Sequence, residues 1–321
     1  MKPNTVWGYF WEKDIQKNCR AEKKLLRAAA AIPGGNPGAE CNMRCIFCFT
    51  KCGTRFSNDK CIDNRTTIQF LKEASKYAYD KKLMNYFLVS EGEPTLNPEL
   101  IPMLYEISSL GGTITLFSNL MELSSEVIQA FGDIKNLFVC GKMYGFTEET
   151  NDYLTGIAGS YLKMKENIGK LITKGLADEG RLGVQSVLTS RNIDECFDIF
   201  KWARRNKIVP HLMMFRKQGY GENMEELELP IERLNQFFVQ CSEYDKEHYS
   251  YLWDEKLPLM IHGDCQIPGI NIYLTNNGEL KLCACDDSAV GNYFSDKLED
   301  VLSSERFESA RENGGCLMYK A

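Results

Sequence analysis

The sequence predicts an α/β fold: a partial (β/α)6 TIM-like barrel with an N-terminal helix and a small C-terminal β-hairpin-plus-helix domain. Short apolar runs of strand length alternate with helical patterns along the middle of the chain, which is typical of βα units and a parallel sheet. About six such units are present, too few for an eight-unit barrel. The alternation stops near residue 225, where a segment of different character begins.

Composition and charge are those of an ordinary globular protein. The 321 residues are 44% hydrophobic and 26% charged, with a formal net charge of −6. An acidic chain lacks the basic surface of a nucleic-acid binder, so no nucleic-acid partner is expected. No stretch approaches the ~20 apolar residues of a membrane span, and the first residues lack a signal-peptide pattern. We therefore expect a cytoplasmic location and no membrane partner.

The N-terminal helix is predicted over residues 11–31, which are rich in good helix formers. The glycine- and proline-rich stretch 32–40 breaks that pattern and leads into a cysteine-rich loop. Residues 1–35 are therefore taken as an N-terminal helical extension. A first barrel strand should precede the cysteine loop, but the sequence marks it poorly.

The barrel itself is predicted over residues 36–225. Its later strands are five apolar runs: LMNYFLVS (83–90), TITLFSN (113–119), NLFVCGK (136–142), RLGVQSVLTS (181–190) and IVPHLMMF (208–215). Helical patterns stand between them, at 66–82, 98–111, 124–133, 160–175 and 192–206. Ser and Asn caps begin some of these helices and glycines end others.

Residues 226–321 are predicted to form a linker helix and a small cysteine-bearing domain. A helical pattern covers 230–248, and GINIYLTNNGELKLC (269–283) predicts a β-hairpin that turns at Asn-Asn-Gly. The last pattern, 295–315, predicts a single helix capped by Ser295.

Four cysteines crowd into the stretch CNMRCIFCFTKC. Cys41, Cys45 and Cys48 have the spacing C-x3-C-x2-C, and Cys52 follows. In a reducing compartment, clustered cysteines bind metal or perform chemistry more often than they form disulfides. A closed zinc site takes four protein ligands, so a zinc knuckle would have to recruit Cys52. An iron–sulfur cube held by three cysteines keeps one iron open for another ligand.

This spacing, with the aromatic Phe47 before the last cysteine, resembles the signature of the radical S-adenosylmethionine (SAM) enzymes. The resemblance implies that Cys41, Cys45 and Cys48 bind a [4Fe–4S] cluster whose open iron chelates SAM. It also implies that one electron splits SAM into methionine and a 5′-deoxyadenosyl radical, which takes a hydrogen atom from the substrate. Phe47 would shield the cluster, and Cys52 would lie outside the ligand set.

The second predicted strand runs into SEGEPTL (90–96), which resembles the family's G-G-E-P element for the SAM amino group. Gly92, Glu93 and Pro94 match it, whereas Glu91 stands where the family has its first glycine. A carboxylate is a suitable partner for an ammonium group. The resemblance covers residues 36 to about 215, with its elements in the family's order.

Further candidates lie at the ends of the next two strands, where barrel enzymes place active residues. Ser118 and Asn119 resemble the family's T-N-G-like turn near the ribose of SAM. Cys140 is a candidate hydrogen donor or simply a small buried residue. Lys142 is a candidate group for binding an anionic or hydroxylated substrate, because a buried lysine is rare without a partner.

A second set of cysteines lies near the C-terminus. Cys265, Gly278 and Cys283 read C-x12-G-x4-C, with Cys285 and Cys316 beyond them. This pattern resembles the SPASM extension and, with four cysteines, its shortened form Twitch, which implies one auxiliary [4Fe–4S] cluster. Cys285 is either the fourth ligand or a bystander that leaves an iron open. A zinc ribbon built from the same thiols is the alternative.

The resemblance implies a radical SAM enzyme that oxidises or epimerises its substrate, with an electron donor such as flavodoxin or ferredoxin as partner. About 35 residues precede the cysteine loop, too few for the peptide-binding domain of many SPASM relatives. We therefore expect a small-molecule substrate such as a sugar or aminocyclitol. A maturase that modifies a ribosomal peptide is the alternative, and a zinc or iron–sulfur electron-transfer protein is the non-enzymatic one.

Overall fold

The computed structural model describes residues 11–33, 40–52, 61–89, 91–253, 265 and 267–314. Its strands are β1 (Arg27–Ala31), β2 (Asn85–Val89), β3 (Thr113–Phe117), β4 (Leu137–Lys142), β5 (Leu182–Leu188), β6 (Val209–Met214), β7 (Asn271–Leu274), β8 (Glu279–Lys281) and β9 (Gly291–Asn292). Its helices are α1 (Lys13–Ala21), α2 (Asn64–Ala74), α3 (Leu100–Ser108), α4 (Ser125–Asp133), α5 (Glu148–Thr155), α6 (Ser160–Thr173), α7 (Ile193–Arg205), α8 (Ile231–Tyr249), α9 (Leu298–Leu302) and α10 (Glu305–Asn313).

The strands form one sheet in the order β6-β5-β4-β3-β2-β1-β7-β8-β9. Strands β1 to β6 pair in parallel with their sequence neighbours, and helices separate them along the chain. The α/β fold with six parallel barrel strands is therefore confirmed. In the part of the chain that the structure describes, no helix is long and apolar enough to cross a membrane.

The first strand corrects the sequence prediction. Residues 11–31 were expected to be one helix, but α1 ends at Ala21 and Arg27–Ala31 form β1. All five residues of β1 are buried, with β2 paired on one side and β7 on the other. Pairing on both edges satisfies the backbone of β1, and this outweighs the helix propensity of four alanines. The strand lies inside the segment predicted as the N-terminal extension.

The C-terminal hairpin continues the barrel sheet. Strand β7 pairs in parallel with β1, and β8 returns antiparallel to β7. The turn between them uses Gly278 at φ 83°, as the Asn-Asn-Gly sequence predicts. The single helix predicted at 295–315 is instead two helices, α9 and α10. Ser304, and not Ser295, is a cap: its side chain accepts from the backbone N–H of Phe307 and begins the second helix.

Two apolar layers hold the sheet. The larger one lies between the strands and the surrounding helices. The smaller one is made by residues from six strands: Ala29, Phe87, Phe117, Phe138, Cys140, Val209 and Tyr273. These side chains form an aromatic-rich cluster, called the interior cluster below. The rings of Phe87 and Phe117 lie at a centroid distance of 5.0 Å within it. Because a barrel filled in this way is a packed core, ligands bind at the carboxyl ends of its strands.

A buried ion pair ties α7 to α8. Arg204 donates to both carboxylate oxygens of Asp245, at 2.8 and 2.7 Å. Trp253 donates to the same carboxylate at 2.8 Å. The Asp245 side chain is fully buried and that of Arg204 nearly so. Removing the carboxylate would leave a buried guanidinium without its counter-charge.

Asp245→Ala is therefore expected to lower the free energy of unfolding by about 3–5 kcal/mol, the usual cost of breaking a buried pair. Urea denaturation measures this loss. The control is Asp178→Ala, which breaks the 2.7 Å pair with Lys207 on the surface. That change should cost less than about 1 kcal/mol. Equal losses in the two variants would contradict the assignment of Arg204–Asp245 as a structural tie.

Candidate functional site

The cysteine loop at residues 40–52 lies against the end of α5. The backbone N–H groups of Arg44 and Ile46 donate to the carbonyls of Thr155 and Leu154, at 2.9 and 3.1 Å. Gly156 follows at φ 67°, and a Cβ placed there would lie 2.5 Å from the carbonyl oxygen of Arg44. Only glycine permits this approach, so Gly156 sets the distance between α5 and the cysteine loop.

The other side of the loop is held by the segment after β6. The N–H of Tyr220 donates to the carbonyl of Cys48 at 2.9 Å. Gly219 has φ 65°, and a Cβ there would lie 2.3 Å from the same carbonyl oxygen. Sequence reasoning did not select Gly156 or Gly219. The available signal was a glycine just after a helix or strand, where the chain needs a positive φ.

The structure brings the three predicted cluster ligands onto this one loop. Cys41, Cys45 and Cys48 are free thiols, and each is half-buried. A donor set made only of cysteine sulfur fits an iron–sulfur cluster. Burial raises the pKa of Cys41 and that of Cys45 (to about 12), and the ammonium of Lys142 opposes both rises. Within the described ranges, no group of three His, Cys, Asp or Glu side chains forms a site for a single metal ion.

Cys48 differs from Cys41 and Cys45 because hydrogen bonds outweigh the effect of burial and lower its pKa. A hydrogen bond from the Cys52 thiol lowers the pKa of Cys48, and the Thr50 hydroxyl acts in the same direction. Thr50 Oγ1 lies 3.4 Å from the Cys48 sulfur and 2.8 Å from the Cys52 sulfur. The pKa of Cys52 is raised, first by this interaction and then by burial. Cys52 is thus a neighbour that supports the thiolate of Cys48.

The buried carboxylate of Glu93 joins two strand ends. Its Oε1 atom accepts from Thr95 N at 3.1 Å, from Thr95 Oγ1 at 2.9 Å and from Ser118 Oγ at 2.5 Å. Its Oε2 atom accepts from Asn119 N at 2.7 Å. The backbone N–H of Glu93 donates to the carbonyl of Glu40, at the start of the cysteine loop. The predicted SAM-binding residues Glu93, Ser118 and Asn119 therefore do lie together.

Asn119 extends this network to the cysteines. Its Nδ2 atom donates to Asn42 Oδ1 at 2.6 Å and lies 3.8 Å from the Cys41 sulfur. The next residue, Leu120, has φ 56°, the conformation that the glycine of a T-N-G-like turn adopts freely. Asn167 holds this turn by donating to the Leu120 carbonyl at 2.7 Å. The turn predicted from Ser118-Asn119 is therefore present without its glycine.

Three further predicted cofactor contacts are buried: Phe47, Gly92 and Pro94. The ring of Phe47 packs edge-to-face on Tyr144 at a centroid distance of 4.9 Å and on Phe215 at 6.5 Å. Phe47 is therefore part of an apolar cluster beneath the cysteine loop. Such packing fixes the loop conformation from below.

The two predicted catalytic residues of β4 have different surroundings. Cys140 is fully buried in the interior cluster, and burial raises the pKa of its thiol. Lys142 lies at the carboxyl end of the strand. Burial disfavours its charge, but Tyr144, Glu93 and Cys41 raise the pKa of Lys142 above its usual range. Lys142 is thus a cation whose charge is stabilised by Tyr144, Glu93 and Cys41.

Two of the predicted auxiliary ligands share one turn after β8. Cys283 and Cys285 are half-buried free thiols, and the N–H of Cys285 donates to the Cys283 sulfur at 3.4 Å. The turn is anchored by Asp286, whose carboxylate accepts from Arg306 of α10 at 2.6 and 2.7 Å. A sulfur that accepts a backbone N–H in this way is typical of cysteines that bind iron–sulfur clusters.

The other two predicted auxiliary ligands are Cys265 and Cys316. Cys265 is a half-buried free thiol. Cys265 interacts electrostatically with Arg20 of α1. Burial lowers the pKa of Arg20, and Cys265 opposes this lowering. Arg20 also donates to the carbonyl of Pro268 at 2.9 Å. Cys316 lies outside the described residues.

Comparisons with known proteins identify a family model and solved structures that are similar to this chain. The family model of the Radical SAM superfamily matches residues 36–229. The structure of Streptococcus suis SuiB bound to precursor peptide SuiA has a TM-score of 0.68 at 13% identity, over 94% of this chain and 70% of that one. SuiB bound to S-adenosylmethionine has a TM-score of 0.68 at 16% identity, over 91% and 68%.

A second relative of known structure is anSMEcpe with bound AdoMet and Cp18Cys peptide. Its TM-score is 0.61 at 13% identity, over 88% of this chain and 82% of that chain. At such identities these likenesses show a shared fold. No curated protein matches the sequence.

In the reduced, metal-free protein, Cys48 is expected to react with iodoacetamide faster than Cys45 at pH 7. The lowered pKa of Cys48 keeps it a thiolate at neutral pH, whereas the raised pKa of Cys45 keeps that thiol protonated. Labelling of Cys48 should persist as the pH falls below 7, and labelling of Cys45 should require alkaline pH. Peptide mass spectrometry of timed samples measures both rates.

Cys52→Ala removes the hydrogen bond to Cys48 and should slow its labelling at pH 7. Cys61→Ala, which replaces another half-buried thiol, is the matched control and should leave the rate unchanged. Faster labelling of Cys45 in the wild type, or an unchanged Cys48 rate in Cys52→Ala, would contradict this account.

Proposed function

Because this chain belongs to the radical SAM superfamily, we propose that it is a radical SAM enzyme that modifies a peptide substrate. The observation that carries the proposal is the network joining Cys41 to Asn119 and Asn119 to Glu93. It connects Cys41, on the loop that also carries Cys45 and Cys48, with the residues expected to bind SAM. When bound, the [4Fe–4S] cluster supplies the electron that splits SAM into methionine and the 5′-deoxyadenosyl radical.

Cys41, Cys45 and Cys48 hold the cluster in this proposal. Their half-buried loop is backed by the Phe47 cluster, which limits the access of water. Thiolates bring negative charge to the site, and Lys142 is a cation that interacts electrostatically with Cys41 and Cys45. We therefore propose that Lys142 offsets this charge at the end of the barrel where the cluster and SAM bind. A one-electron donor of the flavodoxin or ferredoxin class completes the system.

Glu93 binds the amino group of SAM in this proposal. A carboxylate oxygen has two acceptor positions. Among the described residues, Oε2 accepts from Asn119 N, and Oε1 is engaged by Thr95 and Ser118. The Oε2 atom thus has capacity for a charge-assisted hydrogen bond from an ammonium group. Ser118 and Asn119 shape the adjoining turn, where we place the ribose.

A peptide is the substrate class that the comparisons favour. The SuiB structure contains precursor peptide SuiA, and the anSMEcpe structure contains a Cp18Cys peptide. Both share their fold with most of this chain. The expectation of a sugar or aminocyclitol substrate finds no support in these comparisons. The proposed product is an oxidised peptide, such as a crosslink, or an epimerised one.

The C-terminal hairpin region is proposed to be a Twitch-like domain with one auxiliary [4Fe–4S] cluster. In this proposal the half-buried Cys283 and Cys285, on one anchored turn, are two ligands, and Cys265 and Cys316 are the further ligands. Cys140 is assigned to packing, because its thiol is enclosed by the interior cluster.

Anaerobically reconstituted wild-type protein is expected to be brown and to hold about eight irons, four for each of two clusters. With SAM and dithionite it should release 5′-deoxyadenosine. Replacing Cys41, Cys45 and Cys48 together with Ala should lower the iron content to about four and abolish the release. Iron analysis and chromatography of the nucleoside measure the two effects.

The matched control for this triple variant replaces three cysteines that lie on helices with Ala. These are Cys19 of α1, Cys196 of α7 and Cys241 of α8. That variant should keep both its iron and its SAM cleavage. A colourless wild-type protein with stoichiometric zinc and no SAM cleavage would contradict the proposal and favour a zinc protein.

Peptides are expected to raise 5′-deoxyadenosine release by the wild type, whereas sugars and aminocyclitols should leave it at the level without substrate. The reason is that a bound substrate offers the hydrogen atom that makes SAM cleavage productive. A panel of synthetic peptides and metabolites, followed by mass spectrometry, tests this. A loss of two hydrogens indicates oxidation, and deuterium uptake from D2O without that loss indicates epimerisation. A response to metabolites alone would contradict the peptide assignment.

A further inference from the structure

Glu91 connects the proposed SAM site to the C-terminal hairpin. One carboxylate oxygen of Glu91 accepts a hydrogen bond from the hydroxyl of Tyr273. The other accepts from the backbone N–H of Asn276 at 3.0 Å. The backbone carbonyl of Glu91 accepts from Asn276 Nδ2 at 3.1 Å. Three hydrogen bonds thus join the loop after β2 to a turn about 180 residues away.

The hairpin end of this connection is firmly held. Tyr273 lies on β7, is 2% exposed, and packs in the interior cluster with Phe87 and Phe117. It pairs across the hairpin with Lys281, two residues before Cys283. Burial raises the pKa of Tyr273, and Glu91, Cys52 and Cys283 add to this rise. Charges on both cysteine-bearing segments therefore act on the Tyr273 hydroxyl.

The other end of the connection is the proposed SAM site itself. Glu91 precedes Gly92 and Glu93 in the chain, and Glu93 accepts from Asn119 at 2.7 Å. Asn119 in turn contacts the Cys41 sulfur. A continuous path of covalent bonds and hydrogen bonds therefore runs from the hairpin turn to the cysteine loop. A glycine at position 91 would interrupt this path, because it has no carboxylate.

We propose that Glu91 is a positioning residue through which the SAM site and the hairpin carrying Cys283 are coupled, so that SAM binding restrains the hairpin. This inference rests on the proposed function, since SAM is the ligand whose effect is transmitted. Glu91 acts through its hydrogen bonds with Tyr273 and Asn276. By linkage, a restrained hairpin must also favour SAM binding by the same factor.

The contact is strongest with a carboxylate, because the charge strengthens both hydrogen bonds. Tyr273 and Asn276 present two donors to the two oxygens of Glu91. A glutamine can accept from Asn276 N–H and donate its amide N–H2 group to the Tyr273 hydroxyl, which is also an acceptor. Both hydrogen bonds then lack the charge of a carboxylate. Glu91→Gln therefore keeps the size and the partners of the side chain but weakens both hydrogen bonds.

Hydrogen–deuterium exchange of the reconstituted full-length protein, with and without SAM, tests the coupling. In the wild type, SAM should slow amide exchange at residues 271–282 by about 5-fold or more, the lower end of usual coupling factors. Glu91→Gly should abolish this protection, and Tyr273→Phe and Glu91→Gln should reduce it. The dissociation constant of SAM should rise most in Glu91→Gly and by less in Tyr273→Phe and Glu91→Gln. Glu122→Gly and Tyr105→Phe, at exposed positions, are the matched controls.

The possible outcomes are distinct. Binding of SAM to the wild type without slower exchange at the hairpin overturns the coupling alone. Equal SAM protection in the wild type and in correctly folded Tyr273→Phe and Glu91→Gln also overturns it, whether or not Glu91→Gly folds. Failure of the wild type to bind SAM overturns the proposed function, and the coupling with it.

Discussion

The buried carboxylate of Glu93 is the interaction on which the site depends. A buried charged group is costly unless donors surround it, and Glu93 has four hydrogen bonds from Thr95, Ser118 and Asn119. These donors come from the ends of two neighbouring strands, so the carboxylate fixes one end relative to the other. Asn119 then fixes the cysteine loop. One side chain therefore determines the arrangement of three segments that are far apart in sequence.

The sequence predicts the barrel well where apolar periodicity is strong, and it fails where tertiary contacts override local preference. Strands β2 to β6 are visible as apolar runs between helices, because parallel strands are buried on both faces. Strand β1 is hidden, because its four alanines favour a helix in isolation. The break at Ser303–Ser304 is a similar case, since either Ser295 or Ser304 is a reasonable helix cap by residue type.

The functional site shows the same contrast between local sequence patterns and tertiary contacts. The cysteine spacing and the Gly92-Glu93-Pro94 element are local patterns, so they could be found without a structure. The contacts of Gly156 and Gly219 with the cysteine loop, and of Glu91 with Tyr273, join distant segments, so no local pattern predicts which residues they meet. The substrate class follows from neither kind of signal, and the proposal of a peptide rests instead on the peptide-bound structures that share this fold.

The position of β7 in the sheet has a consequence for biosynthesis. Strand β1 emerges from the ribosome first, yet its second neighbour begins only at Asn271. Until then, one edge of the barrel presents an unpaired row of N–H and C=O groups, which is a template for aggregation. Pairing across such a sequence separation is also slow. The nascent chain thus depends on protection of this edge throughout most of its synthesis, and shortened chains that end before the hairpin inherit the same exposed edge permanently.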